Sequence, residues 1–100
     1  MKTINEAIDI LREREEELKR KYKIKSLKVL DSRTMEFLNY GLEEGEKEEI
    51  GIVADFEETP SLLKIVELKL ELEEILGIKV GVYTEGGLSS LKIPYNTIEV

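Results

Sequence analysis

The chain has 100 residues, 41% hydrophobic and 37% charged, with a formal net charge of −7. That length accommodates one core, so residues 1–100 read as a single domain, and the apolar fraction is that of a folded chain. The acidity argues against a general binder of nucleic-acid phosphates, and the absence of Cys and His removes disulfides, thiolate nucleophiles, imidazole chemistry and nearly all zinc sites.

The first element is a helix. Thr3 and Glu6 form a T-x-x-E capping box, and Ile4, Ala7, Ile8, Leu11 and Leu18 fall on one face, so the helix runs to about Tyr22. Glu15–Lys19, Glu16–Arg20 and Glu17–Lys21 add favourable i,i+4 pairs. Lys25 to Leu30 alternates as a strand. In DSRTMEFLNYG, Met35, Leu38 and Leu42 have helical spacing behind a cap at Asp31 or Ser32. Glu43 to Glu49 is a solvated acidic loop, and the continuous apolar run Ile50 to Phe56 is a buried strand.

Thr59 as N-cap and Pro60 at the first helical position open a second long helix. Its broad face carries Ile65, Leu68, Leu72, Ile75 and Leu76, and Gly77 stops it. Lys79 to Tyr83 is a third strand, Glu85 to Ser90 a Gly/Ser turn, and IPYNTIEV a short terminal strand or partner contact. Tyr83, Leu88, Leu91, Ile93 and Tyr95 form an apolar set near the C-terminus, suited to core packing or to a partner. The fold class is α/β (α+β), a small mixed sheet with two long helices packed on it.

The segments LKVLDS, NYGLEEGEKEE, IGIVADFEETPSLLKIVELKLELEEILG and IKVGVYT follow the order of a known pattern. That pattern is a strand into Gly-Ser, a short helix, a strand with Ser-Asp-x-Asp, a helix, and a strand with Lys-Val-Asp. Over about two-thirds of its length the chain resembles the minimal nucleotidyltransferases, antitoxin-like members of the polymerase-β superfamily. The resemblance implies a nucleotidyltransferase-like fold, in which carboxylates hold Mg²⁺ on a nucleotide triphosphate and the Gly-Ser turn cradles the phosphates. Carried over by position, the turn glycine is Asp31 and its serine is Ser32. The positions of the three metal-binding acids are taken by Glu49, Gly51 and Gly81.

Glycine offers no oxygen, and a carboxylate at Asp31 repels phosphate and caps the helix itself. The expectation is therefore a non-catalytic domain, a pseudoenzyme with no catalytic or metal-binding residues and no cofactor. Asp31, Ser32 and Arg33 are then remnants of nucleotide binding. The domain would act by protein–protein contact, as an antitoxin-like partner of a helical HEPN-type protein or as a homodimer. The alternative is a weakly active, metal-dependent transferase of AMP to protein, using Glu49, Asp55 and Asp31 with Mg²⁺ and ATP, or a nucleotide-binding sensor.

The basic residues Lys19, Arg20, Lys21, Lys23, Lys25 and Lys28 complement a helix C-terminus and preceding glutamates, so no nucleic-acid partner is expected. No apolar run approaches the roughly 18 residues of a membrane span, and Met1 to Ile10 lacks the apolar core of a signal peptide, which points to the cytoplasm. Glu/Lys richness without Cys is the composition of a thermophile.

Overall fold

Helix α1 (Ile4–Tyr22) begins where the capping box places it, with Thr3 Oγ1 accepting the Glu6 amide at 3.1 Å. It closes on Lys23 in the left-handed conformation, φ 55°. The computed structural model describes residues 3–100. Of the expected helical pairs, Glu15–Lys19 forms at 3.2 Å. Glu17 instead meets Arg14, and Lys21 crosses to Glu71 at 2.7 Å, tying two helices together.

Strand β1 (Ile24–Leu30) leads into α2 (Ser32–Asn39), whose N-cap is Asp31. This helix stops before Leu42, because the chain turns at Gly41 with φ 82°, a left-handed value that suits glycine. After the acidic loop come β2 (Ile50–Phe56) and α3 (Leu62–Leu76). The α3 cap is Ser61 rather than Thr59. Its hydroxyl accepts the Lys64 amide at 3.1 Å, so Pro60 precedes the helix instead of opening it. Gly77, φ 69°, ends it. Strand β3 is Val80–Tyr83. The segment expected as a turn is a short helix, α4 (Glu85–Ser90), because Thr84 caps it by accepting the Gly87 amide. Strand β4 (Thr97–Glu99) completes the chain.

The four strands lie in the order β3-β2-β1-β4. Strand β1 is antiparallel to both neighbours, and β2 and β3 are parallel, joined through α3. The result is the expected mixed sheet with two long helices. Helices α1 and α3 cover one face over Leu11, Leu18, Ile52, Leu68, Leu72 and Leu76, all fully buried. The other face is covered over a smaller cluster of Leu30, Met35, Val53 and Leu88, with Tyr83 and Tyr95 partly buried against it.

Of the C-terminal apolar set, Leu88 is core, Tyr83 and Tyr95 pack partly buried against it, and Leu91 remains exposed. The larger exposed apolar groups lie on α3, at Leu62, Leu63, Val66 and Leu70, and on α2 and just beyond it, at Phe37 and Tyr40. Among the described residues no helix is long and apolar enough to cross a membrane.

Candidate functional site

Strands β2 and β3 place Gly51 directly beside Gly81 in parallel register. In a parallel pair such neighbours share one face, here the face toward α2. Each missing side chain is replaced in space by another residue. A Cβ built on Gly51 would stand 2.6 Å from Met35 Sδ and 2.8 Å from Leu30 Cδ1, so that space belongs to the minor core. A Cβ on Gly81 would stand on the carboxylate of Glu48.

Glu48 is held from three sides. Asn39, the last residue of α2, donates its side-chain amide to the Glu48 carbonyl at 2.8 Å and accepts the Glu48 backbone N–H at 3.1 Å. The Tyr83 hydroxyl, two residues along β3 from Gly81 and on the same face, donates to Glu48 Oε1. Burial, reinforced by this bond to a carboxylate, pushes the Tyr83 phenol above its ordinary range. A crevice of about 390 Å³ opens between α2 and the acidic loop, and Ser32, Met35, Asn39, Glu48 and Glu49 are among its lining residues.

Asp31 acts as the cap expected of it. Its Oδ1 accepts both the Thr34 amide at 2.9 Å and the Thr34 hydroxyl at 2.6 Å. The Thr34 hydroxyl bond, followed by the Thr34 amide, holds the Asp31 carboxyl below its ordinary value. Ser32 lines the crevice with Glu49, whereas Arg33 lines an adjoining hollow with Phe37 that shares Glu36 and Tyr40 with the crevice. The three supposed phosphate remnants do not converge on one point.

Asp55 does not join Glu49. Six residues of extended strand separate them, about 20 Å, and Asp55 lines a different crevice with Glu57, Glu58 and Glu85. The trio Asp31, Glu49 and Asp55 is thus not assembled, because equal strand parity fixes a face and not a distance.

The divalent metal implied by the resemblance does not fit these residues as a carboxylate clamp. Positions 51 and 81 bring no oxygen, Met35 fills the space over Gly51, and Tyr83 already bonds one oxygen of Glu48. Among the described residues no group of three or more acids could hold a metal ion.

Sequence reasoning missed Glu48, Asn39 and Met35 as parts of this site. The available signal was the pairing of Gly81 with Tyr83 on one face of β3, which leaves a polar hydroxyl beside a gap in need of a partner.

Comparison with known proteins places the chain among named relatives. A "Putative protein adenylyltransferase" of Methanocaldococcus jannaschii is 42% identical over 95 residues, covering 95% of this chain and 88% of the relative. A second protein of that name from the same organism is 40% identical, covering 88% and 95% respectively. The protein adenylyltransferase MntA of Thermococcus cleftensis is 33% identical over 90% of this chain and 85% of its own length. No family model matches the chain, and no solved structure does.

These relatives overturn the expectation of a non-catalytic interaction domain, since they are named for a catalytic transfer. That expectation judged the site from positions 31, 49, 51 and 81 and took no account of side chains arriving there from elsewhere in the chain.

Proposed function

We propose that this chain, which belongs to the protein adenylyltransferase family of the nucleotidyltransferase superfamily, transfers the AMP moiety of ATP to a hydroxyl-bearing side chain of a partner protein. The observation that carries the proposal is the similarity to proteins named for this reaction over nine-tenths of the chain. The geometry supports it with one crevice, beside the first turn of α2, where two hydroxyls (Ser32, Tyr40), an ammonium (Lys47) and three carboxylates (Glu36, Glu48, Glu49) line the wall. Lys47, whose ammonium pairs with the exposed Glu44 at 3.0 Å, would exchange that partner for an incoming triphosphate. Asp31 already occupies the Thr34 amide, so the phosphates are gripped by side chains more than by the start of the helix.

The reading implies ATP as donor, with Mg²⁺ or Mn²⁺ on its phosphates, in place of the cofactor-free domain expected above. Two glycines at positions where the resemblance implies acids set the expectation of slow turnover. The acceptor we propose is a helical protein of the HEPN type, bound in an antitoxin-like pair in the cytoplasm. A second copy of the chain is the competing acceptor.

The test is incubation of the purified chain with α-labelled ATP, with Mg²⁺ or Mn²⁺, and with and without such a helical protein. The expected result is covalent AMP on the partner by mass spectrometry. Label on the chain itself would move the acceptor to a second copy, and label on neither protein would overturn the proposal.

A further inference from the structure

The acid over Gly81 does not come from β3, yet it sits where a β3 side chain would begin. The carboxylate of Glu48 lies on the Cβ position that Gly81 leaves empty, and Tyr83 on the same strand bonds it. The loop that delivers it is exposed from residue 43 to 46, but at Glu48 the backbone is clamped through both its N–H and its C=O by Asn39. A solvated loop glutamate needs no such clamp. Nor does a residue that merely fills space need a carboxylate there, since Met35 fills the equivalent space over Gly51 with a thioether.

We propose that Glu48 is the carboxylate of the transfer site: it stands in for a side chain that β3 does not carry and takes the proton of the attacking hydroxyl. Asn39 and Tyr83 are its positioning residues. This rests on the AMP-transfer reading above. In the step, the acceptor hydroxyl oxygen bonds to the α-phosphorus of ATP while the bond from that phosphorus to the oxygen bridging to the β-phosphate breaks. Pyrophosphate leaves with the electron pair, and the hydroxyl proton passes to Glu48 Oε2, the oxygen that Tyr83 does not hold. A carboxylate within reach of the nucleophile is an ordinary base for such a transfer.

The experiment compares wild type with Glu48→Gln, Glu48→Ala and the double variant Glu48→Ala/Gly81→Asp. AMP transfer is followed by mass spectrometry and the Tyr83 ring by NMR. Glu48→Gln is expected to slow transfer about a hundredfold while keeping its bond to Tyr83, so the ring resonances stay close to wild type. Glu48→Ala is expected to lose a similar rate and to move those resonances. In the double variant the freed space admits a carboxylate from β3, and transfer recovers about tenfold over Glu48→Ala, a gain that a merely structural plug would not produce.

If wild type transfers AMP and Glu48→Gln stays within about twofold of it, the role of Glu48 falls and the function stands. A folded double variant no faster than Glu48→Ala overturns the stand-in. Should that variant prove unstable, the isosteric Glu48→Gln decides alone. A wild type that labels no protein removes the function reading, and the role of Glu48 with it.

Discussion

The two faces of the sheet are built on different principles. Against α1 and α3, every inward residue is an aliphatic or aromatic group placed by helical or strand periodicity, and the core is continuous from Ala7 to Val80. The side chains Tyr22, Lys21 and Glu71 close its rim, with Tyr22 donating to Glu71 at 2.6 Å. Against α2 and α4 the buried cluster holds four residues, and beside it lie the crevice, two facing glycines and a half-buried glutamate. One face stabilises the fold. The other holds a smaller buried cluster and sets polar side chains beside an open crevice, the arrangement expected of a site carried on a rigid scaffold.

The largest test of that contrast is a pair of truncations. Leu72→Ala on α3 empties a fully buried position and is expected to cost about 2–5 kcal/mol, a large share of the roughly 5–15 kcal/mol available to a small domain. Met35→Ala, whose thioether borders the crevice, should fall at about 2 kcal/mol, the lower end of that range. Urea denaturation of both variants reads the difference. Equal costs would mean that the α2 face is packed as tightly as the other.

A smaller effect sharpens the same point at Gly51. Adding a methyl group there presses on Met35 Sδ and Leu30 Cδ1, both ends of flexible side chains, so Gly51→Ala is expected to cost about 1 kcal/mol. In a Met35→Ala background the same substitution should cost less, because the obstructing atom is gone. A double-mutant cycle without coupling would place Met35 elsewhere.

The contrast also explains what could be read from the residues alone. The main core was legible because periodicity reports burial: Leu11, Leu18, Leu68 and Leu72 repeat at helical spacing, and Ile50 to Phe56 is apolar throughout. The cap at Asp31 was legible because capping is local chemistry. Ser61 was missed as the cap of α3 because Thr59-Pro60 offers the same local signal two residues earlier. The site was only half legible. Gly51 and Gly81 could be recognised as neighbours of a motif, but the partners that fill their space arrive from α2 and from an aperiodic loop. No spacing rule connects residue 48 to residue 81, and only the sheet register brings them together.

The smallest predicted effect separates the faces by pH. Each face has one carboxyl held below its ordinary value: Asp31 by the hydroxyl and amide of Thr34, and Glu71 by Lys21 and then Tyr22. A carboxyl depressed in the folded state contributes stability that is complete above its unfolded value, about 3.9 for Asp and 4.3 for Glu. That contribution is lost as pH falls through the lower folded value. Asn is as good an N-cap as Asp, so Asp31→Asn should melt close to wild type at pH 7 if the cap is what matters there. Between pH 4 and pH 3, wild type should lose more melting temperature than Asp31→Asn, and also more than Glu71→Gln. The two variants differ at neutral pH, because Glu71→Gln also removes the ion pair to Lys21 that links α1 to α3. Its loss at pH 7 should shrink in high salt, whereas the Asp31 cap, made mainly to the neutral groups of Thr34 with a lesser attraction from Arg33, should respond to salt much less. A salt-sensitive Asp31→Asn, or an acid profile that neither substitution flattens, would show that these two carboxyls do not govern the low-pH limb.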